Sequence, residues 1–222
     1  MGAVPQSQSL LGMTVEISNG LYITVGLFLI TIVLSLPLGL LISMGGISKN
    51  PLLRKIVAFY VWVMRGTPLM LQILFWVFFP MLVLGLRWDH FPFACFAFAL
   101  NYAAYFAEIF RSGIQSIDKG QYEAANALGL SHRMTMMRII IPQTVRRVLP
   151  PISNESLNLV KDTTLVAIVS LFDILAIANR IVGRTSNLVA FAVVAVYYLV
   201  FSFIVTLIFS ALEKKFMLPD QT

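Results

Sequence analysis

Charge is what this chain has least of. Asp, Glu, Lys and Arg make up 12% of its 222 residues and hydrophobic residues 59%, against about 25% charged in an ordinary soluble domain. That balance excludes a soluble globular fold and points to an integral membrane protein. Cysteine is nearly absent: Cys95 stands alone inside an apolar run, which excludes an intrachain disulfide and reads as a small core residue. The two histidines, His90 and His132, fall in loops on opposite sides of the expected membrane, so no shared metal is expected. Met134, Met136 and Met137 suit adaptable packing better than a soft-metal site. No Gly-x-x-x-x-Gly-Lys-Ser/Thr phosphate loop occurs, so the chain is not expected to hydrolyse ATP itself. Residues 1 to 15 lack a basic start followed by a long apolar stretch, so no cleavable signal is expected. The net charge of +6 would suit nucleic acid, but the cations flank apolar runs and read as topology signals instead.

What is there is mostly membrane-spanning material. Apolar runs of the roughly 20 residues a helix needs to cross a bilayer predict five spans, at about 21–44, 56–84, 92–111, 148–172 and 188–211, of which the first and last carry no charge and the other three are interrupted by charged residues. Residues 1–20 read as a tail with an interfacial segment, 112–147 as a polar loop, Asp173 to Ser186 as a loop and 213–222 as a second tail. The second span is ambiguous at its start, because Arg65 sits either deep inside it or at the end of a surface elbow formed by 51–64. Trp88 suits an interfacial anchor. The loops at 45–55 and 111–147 and the final tail carry three, six and two cations, eleven in all, against Arg87, Arg180 and Arg184 on the other side. The basic side is expected to be cytoplasmic, with the N-terminus outside.

The polar loop carries its own pattern. Asp118 with Gln121 three residues on predicts a capping box, and Glu123 places a negative charge near the positive end of the helix dipole. Ala124, Ala125 and Leu128 are expected on one face, and Gly129 is expected to end the helix in a left-handed conformation. A second short helix is expected from about His132 to Ile141, ended by Pro142. By pattern alone such a helix equally suits a bilayer surface.

Glu123-Ala124-Ala125, Gly129, Ile139, Ile141 and Pro142 resemble the Glu-Ala-Ala loop of bacterial ABC importer permeases, with Ile141 where that family usually has Leu. Arg65-Gly66-Thr67-Pro68-Leu69, Asn101 to Tyr105 with Glu108, and Lys161-Asp162-Thr163 resemble its polar amino acid branch, the histidine, glutamine and arginine permeases. The resemblance covers about residues 20 to 215. It implies an all-α membrane protein with five transmembrane helices and a cytoplasmic two-helix coupling loop, as in type I importers, in the bacterial inner membrane. It further implies two copies of a separate ABC ATPase subunit, which would bind the ATP and Mg²⁺. A second permease subunit, identical or homologous, an extracytoplasmic solute-binding protein and an amino acid substrate complete the implied assembly, within membrane lipid. On this reading Tyr122, Glu123, Ala124, Ala125, Leu128, Gly129, Met134 and Arg138 dock the ATPase.

Polar residues inside spans mark a path or a lock, because a charge at the bilayer centre costs at least ~2.5–3.5 kcal/mol unless paired or wet. Arg65 and Gln72 are expected on one face of the second span. Asn101, Tyr105 and Glu108 form a stripe on the third. Asn154, Asn158 and Lys161 form one on the fourth, with Asp162 beside it. As a solute path, Arg65 would hold a carboxylate, and Glu108 or Asp162 an amine. As a lock, Arg65 or Lys161 would pair with Glu108 or Asp162. Gly66 and Pro68 are expected to act as a hinge. A secondary transporter or channel is the alternative function, although no internal repeat is evident. An intramembrane aspartyl protease is disfavoured, since Asp162 and Asp173 would lie about 16 Å apart along a helix.

Overall fold

The computed structural model describes residues 9–85 and 89–216. Arg87 and Trp88, the first eight residues and the end of the final tail lie outside the described residues. Among those described, every regular element is helical. Three helices are long and apolar enough to cross a membrane, and the number rises to five when each of two bent pairs counts as one span. In order they are α1 (Leu10–Ser18), α2 (Leu21–Gly46), α3 (Pro51–Gly66), α4 (Leu69–Leu84), α5 (His90–Gln115), α6 (Lys119–Ala127), α7 (His132–Thr135), α8 (Ile141–Asp162), α9 (Ile174–Thr185) and α10 (Val189–Phe216). A π-helical turn, Met136–Ile140, joins α7 to α8, and a 3-10 segment, Thr163–Val169, follows α8.

The centre of the bundle is α5, whose Ala94, Ala97, Phe98, Ala103, Ala104 and Phe106 are all buried. Its alanines let α2 come close, and α2 packs against it more extensively than any other pair does. Gly39 marks the closest approach: a Cβ there would lie 2.8 Å from the Phe106 Cβ and 3.0 Å from the Ala103 carbonyl oxygen. Those neighbours are fixed in α5, so the helices themselves must separate. Gly39→Ile should therefore destabilise the folded chain by at least ~1–3 kcal/mol, the usual cost of overpacking. Thermal unfolding in detergent checks this, and an unchanged midpoint would show that α2 and α5 are less tightly apposed.

Several elements differ from the sequence expectations. The stretch expected as one span, 56–84, is two helices that meet at 103°. Thr67 is extended at φ −114°, ψ 144°, as the residue before a proline prefers, and Pro68 starts α4 without an N–H to lend to α3. The elbow alternative is therefore the observed one, and Arg65 and Gln72 do not share a helix face. Pro142 does not end the loop's second helix. It sits at the start of α8, where the π turn before it absorbs the misfit that a proline imposes on an α-helix. The fourth span, expected at 148–172, ends as α-helix at Asp162. The expected 173–186 loop is α9, with the Asp173 carboxylate capping the Ala176 N–H at 2.8 Å. Its buried Ile174, Ile177, Ala178 and Ile181 repeat at helical spacing and pack with Met13 and Ile17 of α1.

Candidate functional site

The break between α3 and α4 creates the site. In a continuous helix the Met64 carbonyl would accept a hydrogen bond from residue 68, but Pro68 has none to give. Two side chains take that oxygen instead: Gln72 Nε2 at 2.9 Å and Asn101 Nδ2 at 2.9 Å. Gln72 also donates to the Thr67 hydroxyl at 2.7 Å and accepts from Asn101 Nδ2 at 3.0 Å. The corner is thus bolted to α5, and Gln72 is buried in the bolt and does not line an open surface.

A cavity of about 750 Å³ opens beside this corner, between the α3–α4 break, α5 and α8. It brings together Arg65, Asn101, Tyr105, Asn158, Lys161 and Asp162 of the expected path residues, along with Gly66 and Pro68. The Asp162 carboxylate accepts a 2.7 Å bond from the hydroxyl of buried Tyr102, which fixes its orientation. The Arg65 guanidinium stands over the Tyr105 ring, 5.2 Å from its centroid. Neither Arg65 nor Lys161 forms an ion pair among the described residues, where the two ion pairs are Arg111–Glu108 and Arg184–Glu16. The lock expected between Arg65 or Lys161 and Glu108 or Asp162 is not formed.

Glu108 lies apart from these residues. Its carboxylate holds the Arg111 Nε at 3.0 Å and lines a separate cavity of about 660 Å³ between α2, α3 and α5. Arg65 stands between the two cavities and lines both. Asn154 is exposed and lies off the 750 Å³ cavity. Two lining residues were missed from the stripes, Tyr102 and Glu155. Glu155, Asn158 and Asp162 are spaced i, i+3, i+7, so their shared face is legible in the sequence; of the expected stripe, Asn158 and Lys161 line the cavity and Asn154 alone falls outside it.

Beyond the bundle, α6 is capped by Asp118, whose carboxylate accepts from the Gly120 N–H at 2.6 Å. The expected capping box is absent, because Gln121 Oε1 instead accepts from Gln143 Nε2 at 3.3 Å. Gly129 has φ +70°, with Leu130 N–H bonded to the Ala125 carbonyl and Gly129 N–H to that of Asn126, which is a Schellman ending. Ala125 is buried against the chain at 1% exposure, so it does not share an outer face with Ala124 and Leu128, and Tyr122 is half-buried. Glu123, Ala124, Leu128, Gly129, Met134 and Arg138 are exposed. Leu128 is 77% exposed, an apolar side chain with nothing of this chain over it.

Residues 35–217 match the family model described as binding-protein-dependent transport system inner membrane component. The chain belongs to that family. This inner membrane component is similar to the L-cystine transport system permease protein TcyB of Bacillus subtilis, at 34% identity over 90% of this chain and 86% of that protein. It is likewise similar to the arginine transport system permease protein ArtQ of the same species, at 37% identity over 92% and 94%. Its fold superimposes on a chain of an amino acid ABC transporter crystallised with histidines, with TM-score 0.85, 30% identity and coverage of 97% of this chain and 100% of that one. A methionine ABC transporter, MetNI, shares the fold at 16% identity and TM-score 0.73. The inner membrane component is therefore a multi-pass membrane protein with the fold of the type I ABC importer permeases.

Proposed function

We propose that this chain is the permease subunit of an ATP-driven importer that moves a polar amino acid into the cytoplasm by alternating access. The observation that carries the reading is the 750 Å³ cavity at the α3–α4 corner, which gathers Arg65 and Lys161 with Glu155 and Asp162, none of them in an ion pair among the described residues. A zwitterion satisfies both signs at once. Arg65 meets its carboxylate, and Asp162 or Glu155 its ammonium, while Asn101, Tyr105 and Asn158 supply neutral hydrogen bonds. Relatives named for cystine and arginine transport support an amino acid as the solute.

The exposed face of α6 and α7 receives the ATPase subunit, which binds ATP and Mg²⁺ and closes against its own twin. Five spans do not enclose a path alone, so a second permease subunit, identical or homologous, completes it. A solute-binding protein delivers substrate from outside, where the N-terminus lies, and the C-terminus is cytoplasmic. Gly66 and Pro68 form the hinge at the corner. The test is copurification of this chain with an ABC ATPase subunit from the same organism, followed by ATP hydrolysis in vesicles with and without amino acid and binding protein. Copurification and solute-stimulated hydrolysis are expected. Uptake by this chain with no ATPase present would replace the reading with a secondary transporter.

A further inference from the structure

We propose that the cavity of about 660 Å³ between α2, α3 and α5 is a second amino acid site, a release station that takes the solute's carboxylate on the α6 side of the first cavity. It rests on the transport reading and adds the step that follows binding. Helix α5 measures the offset between the two spaces. The first touches it at Asn101, Tyr102 and Tyr105, and the second from Ala107 to Gln115. Their midpoints are about eight residues apart, roughly 12 Å along the helix, in the direction of α6.

Among the described residues, only Arg65 and Gly66 line both cavities. Gly66 has no side chain, and a Cβ there would meet nothing within 4 Å, so the partition is the Arg65 side chain. Its guanidinium rests on the Tyr105 ring and makes no hydrogen bond or ion pair among the described residues. A carboxylate held by Arg65 in the first cavity reaches the second by rotation of one long side chain, without a helix moving. Arg54 stands at the far end. It lies close to three turns of α3 from Arg65, so the two share a face about 16 Å apart, with Val57 and Val61 along the wall between them.

The charges of the second cavity differ in kind from those of the first. Arg54 is exposed and has no hydrogen-bond or ion-pair partner among the described residues. Arg111 is already engaged: Glu108 accepts from its Nε at 3.0 Å and Gln115 from its Nη1 at 2.8 Å. The second cavity thus offers two unengaged guanidiniums and no unengaged carboxylate, whereas the first sets Glu155 and Asp162 beside its cations. A zwitterion that satisfies both its charges in the first satisfies only its carboxylate in the second. Binding therefore weakens along the path, which lets a solute leave. The volume falls within the ~300–1,000 Å³ of small-molecule sites.

Trp62 lines the second cavity and not the first, so its emission reads the station. In a Trp76→Phe, Trp88→Phe background it is the one tryptophan left. The full chain in phosphatidylcholine nanodiscs is titrated with each common L-amino acid and with L-cystine, following Trp62 emission and bound radiolabel. Two molecules per chain are expected, the weaker one reported by Trp62, and the amine lacking that solute's carboxylate should leave the emission unchanged. Arg54→Gln should weaken the Trp62 response about tenfold and spare the tighter site, and Arg54→Lys should recover most of the loss. Arg54 has no internal partner to lose, so both variants should fold. One molecule per chain with Trp62 silent would overturn the station and leave the transport reading standing. So would a Trp62 response that Arg54→Gln does not move, or one that the decarboxylated amine matches. A response to phosphatidylglycerol that no amino acid displaces would assign the cavity to a lipid headgroup and overturn the station as well. Binding at neither cavity would overturn both readings.

Discussion

Glu123→Lys abolishes transport while the protein still inserts in the membrane: that is the largest effect expected from any surface substitution here. The Glu123 side chain is exposed in the middle of α6 and makes no ion pair among the described residues, so the bundle does not depend on it. Its proposed use lies in contact with a partner, where losing one member of a desolvated charge pair costs ~2–5 kcal/mol, roughly thirtyfold or more in affinity. Reversal of sign adds repulsion to that loss. Gly129→Asp should do the same by a different route. A side chain at 129 would meet no atom of this chain within 4 Å, so its internal cost is only the φ of +70°, about 1–2 kcal/mol. Gly129→Ala carries the same backbone cost with little bulk, so it should transport far better than Gly129→Asp. The measurement is solute uptake in cells against membrane-inserted protein. Full uptake by Glu123→Lys and Gly129→Asp would remove the docking role.

The second large effect is at Arg65. Arg65→Ala should lower uptake by roughly 10- to 100-fold, since a hydrogen bond to a charged group contributes about 1.5–3 kcal/mol. Protein level should hardly change. The guanidinium makes no ion pair within the chain, and what it loses internally is a stacking contact with Tyr105 at 5.2 Å, worth about 0.5–2 kcal/mol. Arg65→Lys should fall between, because an ammonium keeps the charge but not the planar fork that meets a carboxylate in two places. Uptake and protein level falling together would show that Arg65 serves packing.

Much of this organisation was legible without coordinates, and the parts that were not share a cause. Long uncharged runs announce themselves by length, so the helices α2, α5 and α10 were readable. The Gly129 turn was readable too, because a left-handed residue after a short amphipathic run is a local signal. Short-range pattern failed where a proline stood inside an apolar run. Nothing local separates Pro37 and Pro150, which remain inside helices, from Pro68, which ends one helix and starts another. The difference lies in what repairs the freed carbonyl. At Met64, side chains of Gln72 and Asn101 do so, and Asn101 comes from a different helix. The helix α9 was passed over for the opposite reason: its apolar spacing was present, but Arg180 and Arg184 made it resemble a loop. Ala125 was misplaced because neighbouring alanines carry no sign of which one faces inward.

One feature of the fold bears on how work would travel. From His132 to Val169 the backbone never leaves a helical path, with the π turn near one end and the cavity residues near the other. Met134 and Lys161 are therefore joined by a lever about 40 Å long. A tilt of a few degrees at the outer arm shifts the inner arm by ångströms, enough to open or close a space the size of a small solute. The π turn at Met136–Ile140 lies within that lever, so how stiff it is decides how much of a tilt arrives.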